Sequence, residues 1–272
     1  MKLLSKEELK KAEEALRHYF PQSQQVYGYV SAINRVEADP TDVLVDQWPD
    51  FNVLLIKPRR RKKPDFLKDV CIFTKDKTSL MNILIRTDII DWKQYQCLSA
   101  DLQYEEPLMA VAMNKFVPME NICSCNLLNL QDPSKLTLDR SSVQVSPLKE
   151  SHIALVCSTW KFNMGNLTEP MIRNMVLNFP SYCVLDAEGR PVSWILTYES
   201  CAMGMLYTLP EHRRKGYAKV LVNVLAKKLH SEGYPVYCFI EEENQASYKL
   251  FTSLGFSEVP SFRNAWFSVN EI

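Results

Sequence analysis

Glycine is scarce in this chain, with seven among 272 residues, where an average share of about 7% would give roughly nineteen. A protein keeps a scarce glycine chiefly where the backbone needs its conformational freedom. Six of the seven lie after residue 160. The tight turns of a working site are therefore expected in the second half of a chain whose composition, 46% hydrophobic and 24% charged, is that of a globular protein.

The chain also lacks a long apolar run, an excess of one charge and a regular cysteine pattern. No apolar run approaches the roughly eighteen residues that span a bilayer, so no membrane span is expected. Because 32 basic residues balance 32 acidic ones, nucleic acid is not an expected partner, and an anionic ligand must meet a local site. Among the eight cysteines, Cys123 and Cys125 form the only close pair, and no histidine lies nearby, so no metal site is expected.

Hydrophobic periodicity divides the first half of the chain into helices and strands. It predicts a first helix that stops at Phe20, further helices over 79–85 and 104–116, and strands over 26–33, 52–56 and 70–74. A polar stretch without periodicity over 131–142 indicates a linker. We therefore expect two domains, residues 1–140 and 141–272.

The second half shows a clearer order of predicted elements. A short strand, two helices, three strands, a helix, a strand, a helix and the last strands follow one another. The ranges are 143–145, 149–160, 168–179, 182–185, 191–198, 202–208, 217–230, 236–240, 244–254 and 256–269.

The stretch TLPEHRRKGYA, residues 208–218, lies between a predicted strand and an apolar helix. Gly216 and Ala218 are small where the backbone must approach a ligand, and the helix start presents free amides and the positive end of its dipole. The basic residues beside it are Arg213, Arg214 and Lys215. This arrangement predicts a pyrophosphate site, although such a motif taken alone is better explained as a turn with solvated basic residues.

A second motif follows the next predicted strand and consists of Asn244, Ser247, Phe251, Gly255 and Phe256. Together the two motifs resemble the GCN5-related N-acetyltransferase superfamily, whose loop reads V-x-P-x-x-R/Q-x-x-G-x-G/A and whose later helix reads N-x-x-A-x-x-x-Y-x-x-x-G-F. Segments along nearly the whole chain narrow the resemblance to the glycine N-acyltransferase and glycine N-acyltransferase-like family. They include DQWPDF at 46–51, PVSW at 191–194, TLPE at 208–211 and GYPVY at 233–237.

The resemblance implies an α/β fold of two tandem acyltransferase-like domains with mixed, mostly antiparallel sheets flanked by helices. The N-terminal domain would be degenerate, and the C-terminal one would bind acyl-CoA as a co-substrate, without a permanently bound cofactor. Direct attack on the thioester would join the acyl group to the amine of glycine, glutamine or another small amino acid. The resemblance favours a mitochondrial location, although the acidic N-terminus is unlike a transit peptide. The alternative location is the cytoplasm, and secretion is not expected. We expect the protein to be a monomer.

The resemblance also implies roles for individual residues. The backbone of the strand before the loop would pair with the pantetheine arm and polarise the thioester oxygen, while the loop would hold the pyrophosphate. The expected cofactor-binding residues are Leu206, Tyr207, Thr208, Arg213, Arg214, Lys215, Gly216, Tyr217, Ala218 and Asn244. For Tyr217, simple packing in the helix core is an equally good interpretation.

The sequence departs from the family pattern at both proton-transferring positions. Attack by an amine needs a base, yet Ala202 stands where the family has a glutamate. Glu199 is the nearest candidate base. The alternative is that Glu199 is only a solvated residue of the turn. Phe251 stands where a tyrosine would protonate the thiolate, and phenylalanine cannot donate a proton. Tyr248 is the candidate substitute, unless it only packs.

The sequence leaves open three alternatives to direct acyl transfer to a small amino acid. Cys183 and Cys201 could form an acyl-enzyme, but neither has a histidine near it in sequence, so a buried structural role is favoured. The losses at Ala202 and Phe251 favour an acyl-CoA-binding protein with lost or weak catalysis. Acylation of a protein lysine is the third.

Overall fold

The computed structural model describes residues 1–38, 41–59, 68–136 and 143–271. The chain forms two compact units: unit 1 is Met1–Asn126 with Pro260–Ile272, and unit 2 is Leu127–Val259. The end of the chain therefore returns to the first unit. The domain boundary at residue 140 stays a prediction, because 137–142, the second half of the expected linker, lie outside the described residues.

Unit 1 begins with two helices and then alternates strands and helices. Its elements are β1 (Lys2–Leu3), α1 (Lys6–Leu16), α2 (Gln24–Arg35), β2 (Thr41–Val45), β3 (Val53–Pro58), β4 (Asp69–Thr74), α3 (Lys77–Arg86), β5 (Gln96–Asp101), α4 (Glu105–Asn114), β6 (Met119–Asn129) and, from the C-terminus, β12 (Ser257–Val269). The sheet runs β1-β2-β3-β4-β5-β12-β6. Strand β1 pairs with β2, β2 with β3 and β3 with β4, and these three pairs are antiparallel. The β4–β5 pair is parallel, and β12 pairs with β5 in the antiparallel direction.

Helices cover both faces of this sheet. Leu54 of β3 packs in a cluster with α1 and α2, whereas the next residue, Leu55, packs in a cluster with α3 and α4. Successive strand residues face opposite sides of a sheet, so a strand buried on both faces needs an uninterrupted apolar run. The sequence Val-Leu-Leu-Ile at the start of β3 provides that run, and all four residues are buried.

The strand predicted over 26–33 is wrong, because these residues lie in α2. Valine, isoleucine and tyrosine favour strands locally. Val26, Tyr27 and Val30 nevertheless fall on one face of a helix, and all three are buried in the cluster with β3. Burial of that face therefore decides the structure over local propensity. The sequence also predicts no strand over β5 or β6.

Unit 2 follows the predicted order, with ends that differ by a few residues. Its elements are β7 (Val145–Pro147), α5 (Ile153–Thr159), α6 (Thr168–Asn178), β8 (Tyr182–Leu185), β9 (Pro191–Thr197), β10 (Met203–Thr208), α7 (Tyr217–Ser231), β11 (Tyr237–Glu241) and α8 (Gln245–Ser253). The strands lie in the order β11-β10-β9-β8-β7. The β10–β11 pair is parallel and the others are antiparallel.

The two halves of the chain repeat one order of elements. A short strand, two helices, three antiparallel strands, a helix, a parallel strand and a helix occur first in β1 to α4 and again in β7 to α8. The last strand of the second half, β12, then completes the sheet of unit 1, where six successive residues from Asn264 to Val269 pair with β5. The predicted mixed, mostly antiparallel α/β fold is confirmed. Among the described helices, none has the length and apolarity that a bilayer crossing requires.

Candidate active site

The parallel strands β10 and β11 separate almost as soon as they meet. In the described chain their register contains one pair, Met203 with Cys238. On its other side β10 pairs with β9 through Gly204 and again from Tyr207, with a register shift between them, and Met205 in the shifted segment has a φ of +49°. This is a β-bulge, which bends a strand. It leaves the β11-facing edge of β10 open, and an extended chain that contains amides could pair there.

A convergent set of backbone amides follows β10. Arg214 and Gly216 both adopt left-handed backbone conformations, with φ of +62° and +80°, and Gly216 begins α7 without a side-chain cap. Within the described residues the N–H groups of 214–219 have no acceptor, and Val220, which donates to the Gly216 carbonyl at 3.3 Å, is the first that has one. Such a nest at a helix start binds anions.

The three basic residues of the loop differ in what they contact. Arg214 and Lys215 are exposed and make no ion pair within the described chain. Arg213 instead donates from Nε to the Thr208 carbonyl at 3.1 Å, and its guanidinium carbon lies 5.7 Å from the centre of the Tyr207 ring. Its side chain therefore fastens the loop to β10, and its contact with a pyrophosphate stays a prediction.

Two residues of β9 support the end of β10. The Trp194 ring stacks on Tyr207 with centroids 5.4 Å apart. The Ser193 hydroxyl donates to the Tyr207 carbonyl at 3.1 Å and lies 2.7 Å from the Thr208 hydroxyl. Sequence reasoning did not predict this supporting role of Ser193, although a serine within the otherwise apolar PVSWIL is a signal, because a buried hydroxyl needs a partner.

The candidate base Glu199 lies in the turn that precedes β10, at the end of the strand away from the amide nest. The side chain of Asn174 on α6 donates to its carboxylate. The turn itself is held by Tyr198, whose N–H donates to the Ala202 carbonyl at 2.9 Å, and by the Tyr237 hydroxyl, which donates to the Ser200 carbonyl at 2.5 Å. Glu199 thus has a fixed partner, which sequence reasoning could not find because Asn174 is 25 residues away.

The second motif forms α8 and the turn after it. Asn244 caps α8 by accepting from the N–H of Ser247 at 3.1 Å, and Phe251 is buried against Phe256 with ring centroids 5.0 Å apart. The Tyr248 hydroxyl donates to the Glu258 carboxylate at 2.7 Å. Tyr248 therefore makes a polar contact besides any packing, while the roles of Asn244, Tyr217 and Ala218 toward a ligand stay predictions.

Buried thiols argue against a covalent acyl-enzyme. Burial raises the pKa of the Cys183 thiol to about 11, and Cys201 has no exposed surface. The thiolate is the nucleophilic form of cysteine. The geometry therefore does not favour either cysteine as the nucleophile.

Comparison with known proteins identifies the family. The model described as aralkyl acyl-CoA:amino acid N-acyltransferase matches residues 1–180, and the model of its C-terminal region matches residues 182–270. The chain belongs to the aralkyl acyl-CoA:amino acid N-acyltransferase family. A mouse glycine N-acyltransferase-like protein is 29% identical over 97% of this chain and 98% of its own. The bovine glycine N-phenylacetyltransferase is 28% identical over 95% of each chain.

Solved structures share the fold. A Drosophila protein of 17% identity has a TM-score of 0.81 over 98% of this chain and 97% of its own. A tandem GNAT (GCN5-related N-acetyltransferase) protein from the clavulanic acid biosynthesis pathway has a TM-score of 0.54 at 12% identity, over 99% of this chain and 97% of its own. The resemblance drawn from the two sequence motifs, and the tandem fold it implied, are confirmed.

Within this family fold, the described residues of unit 1 differ from those of unit 2 at the corresponding strand pair and helix start. Its parallel strands β4 and β5 pair at three successive positions, including Val70 with Leu98. The helix after β4 is capped by Asp76, whose carboxylate accepts from the N–H of Ser79 at 2.8 Å. The backbone N–H and the hydroxyl of Ser79 hold the pKa of that carboxyl below its usual value. A built-in carboxylate thus occupies the place where an anionic ligand would bind.

We therefore expect one equivalent of CoA to bind per chain in isothermal titration calorimetry. Gly216→Val should abolish that binding, because a β-branched residue strongly disfavours the left-handed conformation that forms the nest. Two equivalents, or binding that persists in Gly216→Val, would contradict the assignment of the site to unit 2.

The exposed basic pair should contribute charge to the same site. The double variant Arg214→Ala/Lys215→Ala should weaken CoA binding roughly tenfold, or about 1.4 kcal/mol, because hydrogen bonds to charged groups are worth that much or more. Added salt should narrow the difference by screening. Arg190→Ala, which removes a charge from the β8–β9 hairpin, is the control and should bind CoA like the parent protein; an equal loss there would indicate a non-specific charge effect.

Proposed function

We propose that this protein transfers an acyl group from acyl-CoA to the amine of glycine, or of glutamine or another small amino acid, within a ternary complex. The observation that carries the proposal is the bulged strand β10, which separates from β11 and is followed, after residues 209–213, by the six amides of residues 214–219, which have no acceptor among the described residues. Family membership supports the same reaction. By the resemblance of the family we also propose a mitochondrial location and a monomer.

In this proposal each part of CoA meets a matching part of unit 2. The pyrophosphate binds the amides of 214–219 with Arg214 and Lys215 beside them. The amide groups of pantetheine pair with the open edge of β10 at Leu206, Tyr207 and Thr208. One N–H of this bulged segment donates to the thioester oxygen and stabilises the negative charge that develops there, which is the largest catalytic contribution in many acyl transfers.

The chemistry moves two protons from the amino acid. Its ammonium group must lose one proton before the nitrogen can attack, and we propose that Glu199 accepts it through water. The C–N bond then forms and the C–S bond breaks. We propose that Tyr248 gives its proton to the departing thiolate, and that the second proton of the nitrogen passes through water and the Glu258 carboxylate, which accepts the Tyr248 hydroxyl, back to the tyrosine oxygen.

A second candidate function is the binding of acyl-CoA without turnover. It is favoured by Ala202 and Phe251, which are both buried and cannot transfer protons at the positions where the superfamily uses such groups. A third, acylation of a protein lysine, needs the same acyl-CoA site and a different acceptor.

Steady-state kinetics separate these functions. With an acyl-CoA and glycine or glutamine as substrates, thiol release should depend on both, and double-reciprocal plots should intersect, because direct transfer requires both substrates to be bound together. Parallel plots would contradict direct transfer. Tight CoA binding without turnover on any amino acid would support the second function, and acylated protein lysines in mass spectrometry would support the third.

Removal of the proposed proton carriers should lower kcat. Glu199→Gln keeps the size of the side chain and should reduce kcat about 100-fold, the lower range for loss of a general base, with smaller losses at higher pH, where more of the amine is neutral. Tyr248→Phe should reduce kcat by at least about tenfold by the same reasoning. The control Glu188→Gln, in the exposed β8–β9 hairpin, should leave kcat unchanged. If Glu199→Gln also leaves kcat unchanged, Glu199 is only a turn residue.

A further inference from the structure

The aromatic ring of Tyr198 lies directly over Gly204, at the beginning of the bulge in β10. A Cβ at position 204 would stand 2.2 Å from Cε2 of Tyr198, 3.0 Å from Cδ2 and 3.2 Å from Cζ. No side chain can share that space with the ring. Gly204 does not have a left-handed backbone conformation, so this glycine is needed for the room it leaves and not for its flexibility.

The side chain of Tyr198 runs along β10 toward the bulge. Its backbone lies opposite Ala202, to whose carbonyl it donates at 2.9 Å, whereas its ring atoms lie over Gly204, two residues further along the strand. The hydroxyl is attached to Cζ, so it lies beside Gly204, which is next to Met205 in the bulged segment. Ala202 and Gly204 provide a small-residue floor for the ring, since residues two apart in a strand share a face.

This hydroxyl can meet an amine at the reacting end of the thioester. A tyrosine hydroxyl has two lone pairs that accept and one proton that it can donate, and Tyr198 is half-buried. In the proposed function the N–H groups of the same bulged segment hold the thioester oxygen, so the hydroxyl and the thioester carbon lie along the same short stretch of β10.

We propose that the Tyr198 hydroxyl binds the attacking amine of the amino-acid acceptor. Its oxygen accepts a hydrogen bond from the amine N–H and thereby directs the nitrogen lone pair at the thioester carbon. The role differs from that of Glu199, whose carboxylate is held in the preceding turn by Asn174 and takes the ammonium proton through water. This inference rests on the proposed function for the position of the thioester, but its test does not require turnover.

The test measures binding of glycine, and in parallel of glutamine, to the protein saturated with a thioether analogue of acyl-CoA, which cannot react. Calorimetry should show that Tyr198→Phe weakens binding of the acceptor about tenfold, the value of one hydrogen bond to a charged or strongly polar group. Affinity for the thioether analogue should not change, because phenylalanine keeps the ring over Gly204. Tyr182→Phe, which removes a hydroxyl from β8, is the matched control and should bind both ligands normally.

Gly204→Ala tests the position of the ring independently. The added Cβ must displace Tyr198, so acceptor binding should fall although the hydroxyl is still present. Thermal unfolding midpoints of all variants show that each is folded at the temperature of the titration. Equal acceptor affinity in Tyr198→Phe and the parent protein, or no binding of either amino acid to the parent complex, would overturn the inference. Absence of turnover in a parent protein that binds glycine through Tyr198 would overturn the proposed catalysis alone.

Discussion

The structure of unit 2 depends on the separation of two parallel strands after a single residue pair. Once β10 and β11 pass Met203 and Cys238 they no longer share a ladder, so β10 has an internal open edge. Backbone N–H and C=O groups along an open edge lack the hydrogen bonds that paired strands make in the rest of a sheet. The opposite side of the strand is correspondingly well supported, by the stacked rings of Trp194 and Tyr207 and by the Ser193 hydroxyl. Rigid support on one side allows the other to remain free for a ligand.

Unit 1 has the same order of elements with a longer parallel pairing. Its strands β4 and β5 pair at three successive positions, whereas β10 and β11 pair at one among the described residues. At the corresponding helix start Asp76 provides the negative charge, whereas Gly216 in unit 2 provides none and leaves the amides free. A few residues around one strand and one turn therefore distinguish the two units. The sequences of the two halves show no visible repeat, because packing within each unit, and not these few residues, determines the residue at most positions.

Features that depend on neighbouring residues were predictable from the sequence, and features that depend on distant ones were not. The nest at Gly216 is a local property of a strand, a loop and a helix start, and it appears where the motif indicates. Local propensity of the valines predicts a strand where the chain forms helix α2, because burial against β3 outweighs that propensity. The sequence Gln-Cys-Leu-Ser-Ala-Asp of β5 has no β-branched residue, and it is a strand because β4 and β12 pair with it. No local pattern could indicate that the last strand of the chain belongs to the first unit.

The missing carboxylate at position 202 and the ring over Gly204 have one physical cause. A glutamate at position 202 would share the face of β10 that Tyr198 now occupies, since the two residues lie opposite each other in the sheet and opposed side chains come within about 5 Å. Alanine there, and glycine two residues later, make room for an aromatic side chain that reaches the bulge from the neighbouring strand. The absence of a glutamate at position 202 therefore coincides with room for the side chain of Tyr198, which directly follows β9. A search confined to the family motif on β10 does not find this residue.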